Sequence, residues 1–294
     1  RWDSNKRRIM ADVSGPFRLN PRLTYRLAVD ARDENWDLRS TYSGTPGGLN
    51  GLVLRKAEAG GEFEYGITNK LQWTSGLWTA RRDFENGDSN RAFADSWSLE
   101  LRNRLSYRLL ELPEHRFHGD ASGELRTARL LTGPQSRFAI AEGRLDAVWL
   151  PQARGDDRSI EAQFSAGKTF GSAPFDNFFM LGMERDNDLW FRGSLGARDG
   201  RKGTAPLGTE YALFQIDAYQ TVFKFPFGRA QIGPFFDAGR IGDPSGEFGS
   251  DGWMFGTGLE AKIKLFGNLS WVLVYGRNLS GGGAFYTSSR SGRI

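Results

Sequence analysis

The sequence predicts an all-β chain folded as an antiparallel, up-and-down transmembrane β-barrel, and three observations carry that expectation. Apolar and polar residues alternate with period 2 through most of the 294 residues, the alternating segments run for about ten residues or more, and turn signals separate them. No amphipathic helix interrupts the pattern and no shift of composition marks a linker, so one barrel domain over residues 1–294 is expected.

The clearest segment reads SWSLELRNRLSYRLL. Trp97, Leu99, Leu101, Leu105, Tyr107 and Leu109 share one parity, while Ser98, Glu100, Arg102, Arg104, Ser106 and Arg108 share the other, and only Asn103 breaks the apolar side. Successive side chains of a strand point to opposite faces, so this is one apolar and one charged face. LTYRLAVDAR repeats the pattern, with Leu23, Tyr25, Leu27, Val29 and Ala31 opposed to Arg26, Asp30 and Arg32.

Comparable segments lie at 7–15, 50–68, 71–83, 116–130, 137–149, 158–170, 211–225, 229–240, 253–264, 269–277 and 283–288, for about 13 strands. Between them fall Asn20-Pro21, Thr45-Pro46-Gly47-Gly48, Asn69-Lys70, Asn86-Gly87-Asp88, Gly133-Pro134 and Gly155-Asp156-Asp157. Each combines residues that favour turns or tolerate left-handed backbone.

Strand length selects the membrane over a soluble sandwich. Soluble strands average about five or six residues, whereas a tilted strand that crosses a bilayer needs about 9–11. The charged face, with Arg, Glu and Asp intermixed, then lines a lumen and the apolar face meets lipid. Aromatics near strand ends (Trp36, Tyr42, Trp78, Phe84, Trp149, Trp190, Phe225, Phe227, Trp253 and Phe266) suit the interfacial girdles of such a barrel. Connections are asymmetric, with Phe227-Gly228 and Phe266-Gly267-Asn268 short and 241–252 long.

Composition removes several alternatives. With no cysteine there is no disulfide framework, thiolate metal site or cysteine nucleophile. No run approaches the roughly 20 apolar residues of a membrane helix, and RWDSNKRRIM lacks the order of a signal peptide. The net charge of +4 comes from basic residues spread among acids, which gives no stripe for nucleic acid.

The chemistry-bearing patterns are weak. AGKT at 166–169 ends like a phosphate-binding loop, but Ala162 stands where the motif needs glycine. His115 and His118, the two histidines, would point to opposite faces of one strand, so they do not suggest a metal site. DFENGDSN at 83–90 lacks calcium-loop spacing and reads as a polar hairpin tip. No nucleophile elbow is present, and the carboxylates Asp217, Asp237 and Glu260 read as counter-charges for lumen arginines rather than as an acid/base pair. No catalytic residue, metal or cofactor is expected, and the chain is read as non-enzymatic.

Alternation fails between Phe179 and Thr209, a stretch too long for a hairpin connection unless it is functional. Within it, Arg192 follows Phe191 and precedes Gly193 with no adjacent acid. In RAQIGPFFDAG, Ala230, Ile232, Phe236 and Ala238 face lipid, while Arg229, Gln231, Gly233, Phe235 and Asp237 face the lumen.

This region resembles the BamA and two-partner-secretion transporter superfamily of outer-membrane barrels, also called the bacterial surface-antigen family. The resemblance rests on FFMLG at 178–182, FRG at 191–193 in place of Leu/Val-Arg-Gly, LGTEYALFQIDAY at 207–219, FKFPF at 223–227 and GPFFDAGRI at 233–241. It covers about 171–290. It implies a 16-stranded barrel whose sixth extracellular loop, here about 179–209, folds into the lumen. It also implies that Arg192, flanked by Phe191 and Gly193, contacts Asp237 as a latch.

Four features depart from the family. About eight strands precede the loop where the family has eleven, and no polypeptide-transport-associated repeat is present, which suggests missing N-terminal strands or an arm-less relative with 12 to 14 strands. Val222 stands four residues before Pro226 where the family often has a lumen acid, and the chain ends TSSRSGRI rather than in an aromatic residue.

The resemblance implies a protein of the bacterial outer membrane that inserts or translocates polypeptides without chemistry of its own. A weak seam between first and last strands would offer strand edges to a client, and GGGAFYTSS is a short, glycine-rich last strand. Expected partners are outer-membrane lipid or lipopolysaccharide, a polypeptide client and accessory outer-membrane or periplasmic proteins, with no nucleic acid. The rival readings are a barrel that anchors or forms a pore for an attached or partner domain, and a soluble β-protein that binds ligand.

Overall fold

A computed structural model describes residues 5–18, 20–44, 49–133, 136–249, 252–265, 269–279 and 281–291. Eight long strands come first: β1 (Lys6–Phe17), β2 (Asn20–Asp37), β3 (Asn50–Gly66), β4 (Leu71–Glu85), β5 (Ser96–Leu112), β6 (Phe117–Leu130), β7 (Arg137–Trp149) and β8 (Arg158–Gly171). Four two-residue pieces follow: β9 (Phe179–Met180), β10 (Ala197–Arg198), β11 (Arg201–Lys202) and β12 (Leu207–Gly208). Five long strands close the chain: β13 (Glu210–Phe225), β14 (Gly228–Gly242), β15 (Met254–Leu265), β16 (Leu269–Asn278) and β17 (Gly283–Ser291).

The long strands form one antiparallel meander in chain order, with β8 paired directly to β13 across the irregular segment. The described ladders leave β1 and β17 at the two ends of this sheet, with no pairing between them. Thirteen long strands, eight before the segment and five after it, match the alternation in the sequence.

Burial is inverted relative to a soluble domain. Leu77, Val29 and Leu105 are 54%, 53% and 50% exposed, whereas Arg82, Asp237 and Glu100 are 0%, 0% and 1% exposed. Large exposed apolar surfaces in a monomer mark contact with a membrane or partner, and buried charges persist only when paired. One face of the long strands is therefore largely apolar and outward. The other is polar and covered toward the end from which the segment departs, while inner-face Arg104, Arg108 and Arg144 nearer the other end are exposed, as in a membrane barrel.

What covers the polar face is the segment between β8 and β13. Each of three apolar clusters is built partly from it: Phe175, Met180, Ala205 and Leu207 in the first, Phe179, Leu181 and Phe191 in the second, Met183 and Trp190 in the third. The core thus lies between the segment and the inner face of the sheet, not between two sheets.

Breaks in the ladders fall where the backbone demands them. Pro234 has no N–H to donate, and the β13–β14 register passes from Asp217↔Phe235 directly to Gln220↔Ile232. Val222 shares the outward parity of Phe214 and Ile216 and is exposed, and a bulge between Thr221 and Phe223 turns Phe223 outward as well. Val222 stands at the position where the resembled family often carries a lumen acid.

Two sequence expectations need correction. Trp36, Tyr42, Trp78 and Trp190 are buried inside rather than set in a girdle, while Trp149, Phe227 and Trp253 are exposed and Phe266 lies outside the described residues. Proximity to a strand end gives depth but not face: Trp36 and Trp78 share the parity of buried Glu34 and Ala80. His115 and His118 do not share a strand, because Pro113 opens a 3-10 turn (Pro113–His115) before β6 begins.

Candidate functional site

The segment is an ordered loop with hydrogen bonds of its own. Its base is pinched where β9 pairs with β12, Leu207 opposite Met180. Asn187 Nδ2 donates to the carbonyls of Met180, Gly182 and Leu189 at 2.7, 2.7 and 3.0 Å, which satisfies a tight turn without regular structure. β10 and β11 form a small hairpin, and Lys202 of β11 pairs in parallel with Trp36 of β2, next to β1.

At the centre lies Arg192. Its backbone N–H donates to Asp237 Oδ2 at 2.7 Å, Nη2 lies 2.6 Å from Asp237 Oδ1, and Nε lies 3.1 Å from both oxygens. Nη1 reaches Glu260 Oε2 at 3.1 Å and also Asp217. Its guanidinium stacks over the Phe235 ring, 4.0 Å from the centroid.

Alternation in β13, β14 and β15 is what brings Asp217, Asp237 and Glu260 onto one face, within reach of a single side chain. One arginine fork then serves three carboxylates, a geometry lysine could not provide. The remaining oxygens also have partners: Tyr219 Oη donates to Glu260 Oε1 at 2.6 Å, and Gln215 Nε2 to Asp237 Oδ1 at 3.2 Å. Burying such a set without partners would cost several kcal/mol per ion.

The residues beside Arg192 fix how the loop sits. Phe191 is fully buried over Gly239 and Gly256, where an added Cβ would lie 3.3 Å from its ring. Gly193 lies flat on β16, since a Cβ there would stand 2.7 Å from Asn278 N. Across the contact, a Cβ on Gly276 would stand 1.6 Å from the Arg192 carbonyl oxygen.

Sequence reasoning missed a second set of contacts, at the other end of the sheet. Lys6 Nζ lies 2.6 Å from Glu184 Oε1 and also pairs with Asp186, while Arg8 Nη1 lies 2.9 Å from Asp186 Oδ1. Lys202 Nζ lies 2.9 Å from Glu34 Oε1. Nearer β8, Asp176 accepts from Arg82 at 2.6 Å and pairs with Lys56 at 2.9 Å. Acids in an aperiodic segment carry no parity, so only the surplus of inward cations on β1, β3 and β4 hinted at them.

Burial alone would raise the Asp176 and Asp186 carboxyls. The charges of Arg82 and Lys56 on Asp176, and the hydrogen bond and charge of Lys6 with the charge of Arg8 on Asp186, outweigh it. Both acids are held well below the ordinary carboxylate range.

The same loop also touches the last strands. Trp190 meets Tyr286 of β17 edge to face, with centroids 5.3 Å apart, and Met183 and Trp190 pack with Val272, Val274 and Ala284. One segment therefore contacts both β1 and β17, the two strands that no ladder joins among the described residues.

No protein-family model matches the chain, and no curated protein matches it in sequence. Its likeness is structural. A BamA from Haemophilus ducreyi lacking POTRA domains 1–3 superposes with a TM-score of 0.66 at 10% identity, over 98% of this chain and 62% of that one. CdiB from Escherichia coli superposes at 0.69 with 12% identity, over 97% of this chain and 53% of that one. The chain thus spans between about half and three fifths of those proteins. It has the barrel fold seen in BamA and in CdiB.

Proposed function

We propose that this chain is the barrel of a bacterial outer-membrane protein that inserts polypeptides into that membrane or passes them across it. It does so without bond-making chemistry, with the segment at 179–209 as its internal clasp. The observation that carries the reading is the seam: among the described residues β1 and β17 share no ladder, and one buried loop contacts both. The likeness to BamA and CdiB supports the same class of activity.

Mechanistically, an unpaired strand edge is a template for another strand. While the loop holds Lys6 and Arg8 on one side and Tyr286 on the other, the two edges stay in register with it. Arg192, locked to Asp217, Asp237 and Glu260, fixes the loop to the wall between them. A client that pairs with β1 or β17 separates the edges, and the cost it meets is the loss of contacts on one side of the loop.

The chain has no cysteine, so engineered pairs are unambiguous. Cysteines placed by Lys6→Cys and Glu184→Cys, joined by a bifunctional methanethiosulfonate that spans the length of the ion pair they replace, should lock β1 to the loop. In cells that carry the full gene product with this pair, cross-linking should diminish delivery of client polypeptides to or through the outer membrane, and reduction should restore it. Undiminished delivery under complete cross-linking would contradict the proposal and favour a barrel that only anchors an attached domain.

A further inference from the structure

The outward face is apolar along most strands, but where β6 and β7 meet near their connecting turn it carries two positive charges opposite one another. Arg129 and Arg137 are cross-strand partners, and both side chains are exposed. They share the parity of exposed Leu125 and Leu145, whereas their neighbours Ala128, Leu130 and Phe138 are buried on the inner face. Like charges directly opposite in an antiparallel pair are destabilising. Among the described residues, neither arginine has a carboxylate partner.

Three outward cations near this rim do have such partners: Arg55 meets Glu85 at 2.6 Å, Arg81 meets Asp83 at 3.4 Å, and Lys168 meets Glu210 at 2.6 Å. Arg240 and Arg277 have none among the described residues, but their cross-strand partners are Ala212, Thr257 and Gly283. Arg129 and Arg137 thus combine a missing counter-ion with a like charge directly opposite.

Depth identifies what supplies it. From Arg137 the outward face of β7 runs through Ala139, Ala141, Gly143, Leu145 and Ala147 to exposed Trp149 at the other end of this 13-residue strand. Tilted by about 40°, such a strand rises roughly 30 Å, the thickness of a hydrocarbon core. The arginines thus stand at one edge of the apolar band, flanked by exposed Trp97 and Phe170, with Leu99 paired to Arg129. The turn beside them is at the end of the sheet from which the segment at 172–209 departs, and longer connections of membrane barrels face outside the cell.

We propose that Arg129 and Arg137 bind the phosphate of an anionic lipid in the outer leaflet. This inference rests on the membrane reading above. Two guanidinium forks converge on phosphate oxygens, the lipid's acyl chains lie along the alanine and glycine face of β7, and its charge relieves the repulsion between the arginines.

The test uses the full chain, purified in neutral detergent, stripped of lipid and titrated with bisphosphorylated lipid A while bound lipid is followed by native mass spectrometry. Wild type should bind lipid A at least tenfold more tightly than the Arg129→Gln/Arg137→Gln variant. Arg129→Lys/Arg137→Lys should retain most of the affinity, and Lys168→Gln should match wild type. Chemically dephosphorylated lipid A should bind as weakly as to the glutamine variant, and millimolar inorganic phosphate should not compete.

Equal binding by the glutamine variant or by dephosphorylated lipid would overturn the site, and full competition by inorganic phosphate would make it a free-anion site instead. Heat-modifiable mobility of each variant separates misfolding from lost binding. Recovery of wild type in the buffer-soluble fraction would overturn the membrane reading itself, whereas membrane-bound protein with unchanged lipid binding in the variant would overturn only this site.

Discussion

Arg192 presents both its backbone N–H and its guanidinium to a single carboxylate, Asp237, 45 residues along the chain. Removing one partner of a buried pair costs about 3–5 kcal/mol, because the other is left unpaired. Arg192→Ala removes the one cation shared by three carboxylates, whereas Asp237→Ala leaves the arginine held by Asp217 and Glu260. Arg192→Ala should therefore expose the segment to protease more than Asp237→Ala does, and the double variant should be little worse than Arg192→Ala alone. Additive losses of heat-modifiable mobility would argue against one coupled unit.

Close backbone approach gives a second prediction. Alanine at Gly276 places a methyl against the Arg192 carbonyl, and overpacking of this kind costs about 1–3 kcal/mol. Gly276→Ala should lower the thermal unfolding midpoint and raise protease cleavage within 181–206. Gly143→Ala, where an added Cβ meets nothing within 4 Å, should leave both unchanged.

Acid should release the loop late. Asp176 and Asp186 are depressed in the folded protein from an unfolded value of about 3.9. Their contribution is fully present above that value and declines as pH falls through the folded values. Pepsin digestion should find the segment protected at pH 4 to 5 and progressively cleaved below about pH 3. Release between pH 7 and pH 5 would contradict the ion pairs on Lys6, Arg8, Lys56 and Arg82.

How much of this is legible in the sequence depends on periodicity. The strands are, because Leu99, Leu101 and Leu105 alternate with Ser98, Glu100 and Arg102. So is the inward face of Asp237. That Arg192 reaches it is not, since pairing across 45 residues has no local signature and only a family resemblance suggested it. Glu184 and Asp186 lie where no period exists and so carry no signal of face, and the inward setting of Trp36 and Trp78 follows from parity, not from nearness to a strand end.

In the membrane reading, the apolar face of the sheet meets lipid while the polar face holds the loop. Single nitroxide labels at Val29, Leu77, Leu99 and Leu105, in the cysteine-free chain reconstituted into phospholipid vesicles, test it most directly. Collision with oxygen, which concentrates in the hydrocarbon, should exceed collision with a water-soluble nickel complex at all four positions. Preferential collision with the nickel complex would place this face in water and contradict the membrane barrel.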